Sequence, residues 1–212
     1  MKKREILARA AVAAVGTTLL VGVAGAAFAD DPNPDNDTVA VDVNIAQAAE
    51  PGVLAMTVAS NSTTLTESGS TPTVRQFTGT LPTVTVTDTR VFPDRIDPTA
   101  FWYVLGSSSD FVGDAAQPDI TADHLGWSPA LVGGTDPGEV AVGDQVDTVL
   151  DSGPDAVGLV DQEILALASS SRDINPTGSW SVNAGLFLKT PITVAPGHYT
   201  SHLTLSLFEY EG

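Results

Sequence analysis

The chain has 212 residues and no cysteine, which excludes disulfides, thiolate metal sites and a cysteine nucleophile. Nine basic residues stand against 26 acidic ones, a formal net charge of −17, which argues against nucleic acid and anionic membrane surfaces as partners: both need a cationic face. Hydrophobic residues make up 42%, enough for a core, and 19 glycines with 14 prolines suit many turns between short strands.

Met1-Lys2-Lys3-Arg4 opens the chain with positive charge, and an apolar run follows from Ala10 to Ala24. Ala27-Phe28-Ala29 then has the small-x-small pattern of a cleavage site. Residues 1–29 are therefore expected to be a secretory signal peptide cut after Ala29, because the run is short for a membrane-spanning helix. Cleavage removes four bases (Lys2, Lys3, Arg4, Arg9) and one acid (Glu5), which takes the net charge from −17 to −20 and leaves Lys189 as the only lysine. The mature protein is expected outside the cell, without a membrane span, and without disulfides its core alone must hold the fold. Residues 30–37 (DDPNPDND) read as an acidic flexible leader, since the spacing and closing glutamate of a calcium loop are missing. The chain ends at Glu209-Tyr210-Glu211-Gly212 with no sortase-type signal, so attachment to the cell is expected to be non-covalent.

From residue 38 on, the pattern is period two. Val39, Val41, Val43 and Ile45 share one parity, as do Leu54, Met56 and Val58, and Val84 and Val86 alternate with threonines. Trp180, Val182, Ala184, Leu186 and Leu188 form one row, and Tyr199, Leu203, Leu205 and Leu207 form another, opposite His198, Thr200, His202, Thr204 and Ser206. One apolar side per strand marks half-buried strands. Turns are expected at Asp97-Pro98, at 133–138, at Ser152-Gly153-Pro154-Asp155 and at Ala195-Pro196-Gly197. Residues 161–168 (DQEILALA) break the habit and are expected to form two helical turns capped by Asp161. The expected fold is all-β: one antiparallel β-sandwich or barrel-like domain over 38–212, with a single short helical crossover.

No reactive centre emerges. His198 and His202 are four apart, which on one continuous strand separates them by about 13 Å, too far to share a metal. His124 is read as structural. No G-x-S-x-G elbow occurs, and most acids sit in turns beside glycine or proline, where aspartate bonds locally. No enzyme activity, metal or cofactor is expected. Strand parity places Trp102 and Trp180 in the core. Trp127, in Leu125-Gly126-Trp127-Ser128-Pro129, is read as a loop residue and the best candidate for an exposed ligand contact.

Four short motifs occur in order: Thr85-Val86-Thr87-Asp88-Thr89-Arg90; Trp102-Tyr103-Val104 leading to Ser109-Asp110-Phe111; Gly178-Ser179-Trp180-Ser181-Val182; and Ala195-Pro196-Gly197-His198-Tyr199 running on to Leu203-Thr204-Leu205-Ser206-Leu207. This series resembles the WxL domain over roughly 39–209, with motif residues Trp102, Val104, Trp180, Val182, Leu205 and Leu207. Val104 stands where the family has leucine, and Leu205 where it has its second tryptophan, so the chain resembles a divergent member. The resemblance implies a secreted surface protein of Gram-positive bacteria that associates non-covalently with cell-wall peptidoglycan, made beside a membrane-anchored partner protein. The expected function is thus a non-enzymatic wall-binding module. The alternative is a structural or adaptor subunit recruited by an anchored partner through an exposed strand edge.

Overall fold

The computed structural model describes residues 52–90, 99–133, 138–174 and 177–210, all within one folding unit, Ala48–Gly212. The signal segment, the acidic leader, the strand expected at Val39–Ile45, the Asp97-Pro98 turn and the middle of the 133–138 turn lie outside these residues.

The described chain is mostly strand: β1 Leu54–Val58, β2 Thr66–Glu67, β3 Val74–Thr80, β4 Val84–Asp88, β5 Phe101–Ser108, β6 Val112–Gly113, β7 Leu125–Leu131, β8 Val140–Val142, β9 Glu163–Ala168, β10 Ser179–Pro191, β11 Tyr199–Thr200 and β12 Leu203–Tyr210. The helical content is a 3-10 turn at Ala122–His124 and one α turn, α1, at Ser171–Ile174. The first sheet runs β1-β4-β10-β3-β2, and β7 also pairs with β10. Strand β10 organises it: β7 lies along 182–188, while β4 pairs with 179–182 and β3 with 185–191. Because the β7 register overlaps both others, β7 occupies one edge of β10 and β4 and β3 share the opposite edge. The second sheet runs β12-β5-β9-β8. Every pairing between named strands is antiparallel, as expected from the sequence.

Alternation decides which side each strand buries. Val84, Val86 and Asp88 are buried on β4, with the intervening threonines half-buried. On β10 the row Val182, Ala184, Leu186, Leu188 faces the core, and on β5 Trp102, Val104 and Gly106 do so. Buried side chains from both sheets form one cluster, centred on Trp102, Trp127, Val104, Leu159 and Leu165. Each large aliphatic or aromatic member stabilises the fold by about 1.5–3 kcal/mol through burial. This two-sheet core is the all-β sandwich expected from the sequence.

Three local expectations are corrected. Residues 161–168 hold no helix: 163–168 are strand β9, which pairs with β5 on one side and β8 on the other. Leu165, Ala166 and Ala168 are buried there, so pairing on both edges overrides the local helix preference of Glu-Ile-Leu-Ala-Leu-Ala. The helical turn comes after that strand, in α1, where the chain leaves the second sheet for β10. The terminal strand is not continuous: β11 pairs with β6 and β12 with β5, with Ser201 and His202 between them. The third correction concerns Trp127. It lies in β7, opposite Leu186 of β10, and is fully buried. A β-carbon on Gly106 would come within 2.6 Å of its ring, so the bare backbone of β5 at Gly106 makes room for the indole. Trp127 therefore cannot serve as an exposed ligand contact.

Candidate functional site

The alternation that turns Trp102 and Val104 inward turns Phe101, Tyr103 and Leu105 outward on β5. Antiparallel register then sets Tyr210 opposite Phe101, Phe208 opposite Tyr103 and Ser206 opposite Leu105 on β12. On the other flank Leu167 lies opposite Tyr103, and Ile164 opposite Leu105 across a bulge. Ala141 of β8 continues the row beside Leu167.

The four aromatic rings form one group. Phe101 and Tyr210 have centroids 5.0 Å apart and tilt by 32°, Tyr103 and Phe208 are 5.4 Å apart and stacked at 17°, and Phe101 and Tyr103 are 6.2 Å apart. Tyr210 keeps 54% of its surface exposed, Ile164 39% and Phe208 37%. At these outward positions (101, 103, 105, 141, 164, 167, 206, 208 and 210) no residue is charged, in a chain with a net charge of −17. These residues make an uncharged, partly exposed aromatic surface on a strongly acidic protein, the candidate site.

An ion-pair network braces the end of this face. Arg90 follows β4 of the first sheet and donates to both carboxylate oxygens of Asp88, at 2.8 and 2.9 Å, and to Glu209 of β12 in the second sheet. Asp88 is fully buried, and the hydrogen bond to its carboxylate, together with Glu209, raises the Arg90 pKa above its ordinary value against the opposing effect of burial. The network ties the two sheets together beside Tyr210.

The other singled-out residues are placed as follows. Trp102, Val104 and Val182 are buried in the core, and Trp180, Leu205 and Leu207 are half-buried against it. His198 and His202 are exposed. His124 lies 2.8 Å from Asp123 through Nδ1, and Thr121 bonds to both residues. Burial opposes ionisation of Asp123, but the bonds from Thr121 and His124 outweigh it and hold the carboxyl below its ordinary value. Lys189 pairs with Asp151 at 2.5 Å. Glu163 has its carboxyl pKa raised by burial and then by Asp161 and Asp155. Among the described residues no group of three histidine, aspartate or glutamate side chains converges on a metal position, and no helix is long and apolar enough to cross a membrane.

The residues missed from sequence are Phe101, Tyr103, Phe208 and Tyr210. The signal was present. The parity that turns Trp102 and Leu207 inward turns Tyr103 and Phe208 outward, but adjacency across β5 and β12 appears only in the register. Comparison with protein-family models, with curated proteins and with solved structures returns no match.

Proposed function

We propose that this chain is an exported, non-enzymatic surface protein that associates non-covalently with the bacterial cell wall, and that the outward face of β5 and β12 makes the contact. The observation that carries this reading is the aromatic group of Phe101, Tyr103, Phe208 and Tyr210 on a face without charge. Sugar rings present C–H faces that pack on aromatic rings, and a neutral glycan loses nothing to repulsion from an acidic protein. The signal-peptide pattern of residues 1–29 and the resemblance to the WxL domain support export and wall association. A phosphate-bearing wall polymer would be repelled, so the proposed ligand is the neutral glycan strand of peptidoglycan.

The test is co-sedimentation of the purified protein with sacculi stripped of phosphate polymers. The parent protein pellets with them, and Tyr103→Ser combined with Tyr210→Ser weakens binding by about tenfold, ~1.4 kcal/mol. Equal binding by the double variant would remove this face from the reading.

A second reading has its own observation. Strand β12 pairs only with β5, so among the described residues its other edge carries no strand. An open edge of eight residues can accept a strand from another protein. In that case sacculi alone retain little protein, and retention appears once a membrane-anchored partner is added.

A further inference from the structure

At one end of the sandwich the core does not close. Phe77 of β3, Leu203 of β12, and Val194 and Tyr199 of the strap 194–201 pack on the buried cluster yet remain only partly buried. They border a cleft of about 640 Å³, floored by Leu186 and Leu188 of β10. That volume lies within the range of small-molecule sites, roughly 300–1,000 Å³.

The strap over the cleft is held from outside by Gln117 and β6 and by one bond of its own. Gln117 donates to the Pro196 carbonyl at 3.4 Å, and Tyr199 Oη donates to the Ala195 carbonyl at 2.9 Å. Strand β11, within the strap, pairs with β6. Gln117 packs closely on Gly197: a β-carbon there would lie 1.8 Å from its Nε2, so the amide would have to move aside. These contacts fix the strap to β6 and Gln117 at the border of the cleft.

Its charge is balanced. Arg75 contributes to the lining, but its guanidinium grips Glu67 with two bonds, at 3.1 and 2.8 Å, and sits 5.0 Å over the Phe77 ring. Hydrogen bonds from Arg75 and Ser70 bring the Glu67 carboxyl down to about 2, so the acid is ionised at neutral pH and offsets the Arg75 charge. An anionic ligand would have to displace Glu67 while approaching a polyanion. Thr64 and Thr190 bring hydroxyls to the lining, and the His198 side chain is 76% exposed to water. The site thus offers an apolar floor, hydroxyls and no net charge.

We propose that this cleft binds one uncharged amphiphile, an acyl or alkyl chain carrying a neutral hydroxylated head, independently of the wall-binding face. The test is calorimetric titration of the purified protein with three ten-carbon probes below their critical micelle concentrations: monodecanoylglycerol, decanoate and decyltrimethylammonium. Monodecanoylglycerol saturates one site with a Kd on the order of 10 μM, and both ionic probes bind at least about tenfold more weakly. Thr64→Trp, at the exposed rim, and Leu188→Phe, on the floor, each weaken monodecanoylglycerol by about tenfold or more. Both variants keep the parent's circular dichroism spectrum and a cooperative urea unfolding transition, which shows that they are folded whether or not the protein binds the wall. Should Leu188→Phe fail to fold, Thr64→Trp alone decides. Absence of saturable binding, tighter binding of either ionic probe, or undiminished binding by folded variants overturns the proposal.

Discussion

Trp127 shows how one residue's neighbours decide its role. From sequence it sits among Gly126, Ser128 and Pro129, a composition typical of loops. In the fold it is fully buried and packs against Gly106. Replacing it by alanine empties a large core volume that the rigid sheets cannot collapse into. Trp127→Ala should therefore lower stability by about 3–5 kcal/mol, read from urea denaturation midpoints. Tyr210, half-exposed on the outer face, should behave oppositely: Tyr210→Ala changes stability by about 0.5 kcal/mol or less. If Trp127→Ala proves as mild as Tyr210→Ala, the placement of Trp127 in the core is wrong.

At the scale of elements, β10 is the strand on which the first sheet is assembled, and Lys189 near its end ties it to the long connection 143–162. Lys189 Nζ meets Asp151 Oδ1 at 2.5 Å, while the backbone N–H and the hydroxyl of buried Thr148 bond to Asp151 Oδ2. Partial burial pushes the Asp151 pKa up, but the bonds from Lys189 and Thr148 outweigh it, and the net shift is downward from 3.8. A carboxylate with a lowered pKa in the folded state binds fewer protons there than in the unfolded chain. Its stabilisation is therefore complete above the unfolded value and is lost as pH falls below 3.8 toward the folded value. Asp151→Asn should be less stable than the parent at pH 7, and the difference should shrink as the pH is lowered to 3, measured by urea unfolding at each pH. A difference that grows on acidification would contradict the assigned direction. Strand β9 carries a further lesson at this scale. A window of Ile, Leu and Ala suits either a helix turn or a buried strand, and only the presence of β5 and β8 on its two edges decided for strand.

For the whole molecule, charge sets the tone. A net charge of −17 repels itself when compacted, and three of the described cations are paired locally: Arg75 with Glu67, Arg90 with Asp88 and Glu209, and Lys189 with Asp151. Screening reduces that repulsion over a length of about 10 Å at 0.1 M salt. Raising sodium chloride from about 10 mM to 0.5 M should increase Tm by several degrees in a thermal melt. A fall in Tm would mean that ion pairs such as Arg90 with Asp88 and Glu209 outweigh the general repulsion.

Period-two alternation made β1, β4, β10 and β12 legible, because burying one side of a strand leaves a parity in the chain that needs no partner to be read. The inward positions of Val84 and Val86 and the inward row at 182–188 follow from that parity alone. The strand identity of 163–168, the interruption at Ser201 and His202, and the burial of Trp127 depended on partners distant in sequence. The same holds for both candidate sites. The aromatic face needs Tyr103 beside Phe208, and the cleft needs Phe77 across from Tyr199, more than a hundred residues apart in each case. Local patterning determines which side of a strand is apolar; only strand register and sheet packing determine which apolar sides meet and which are left facing water.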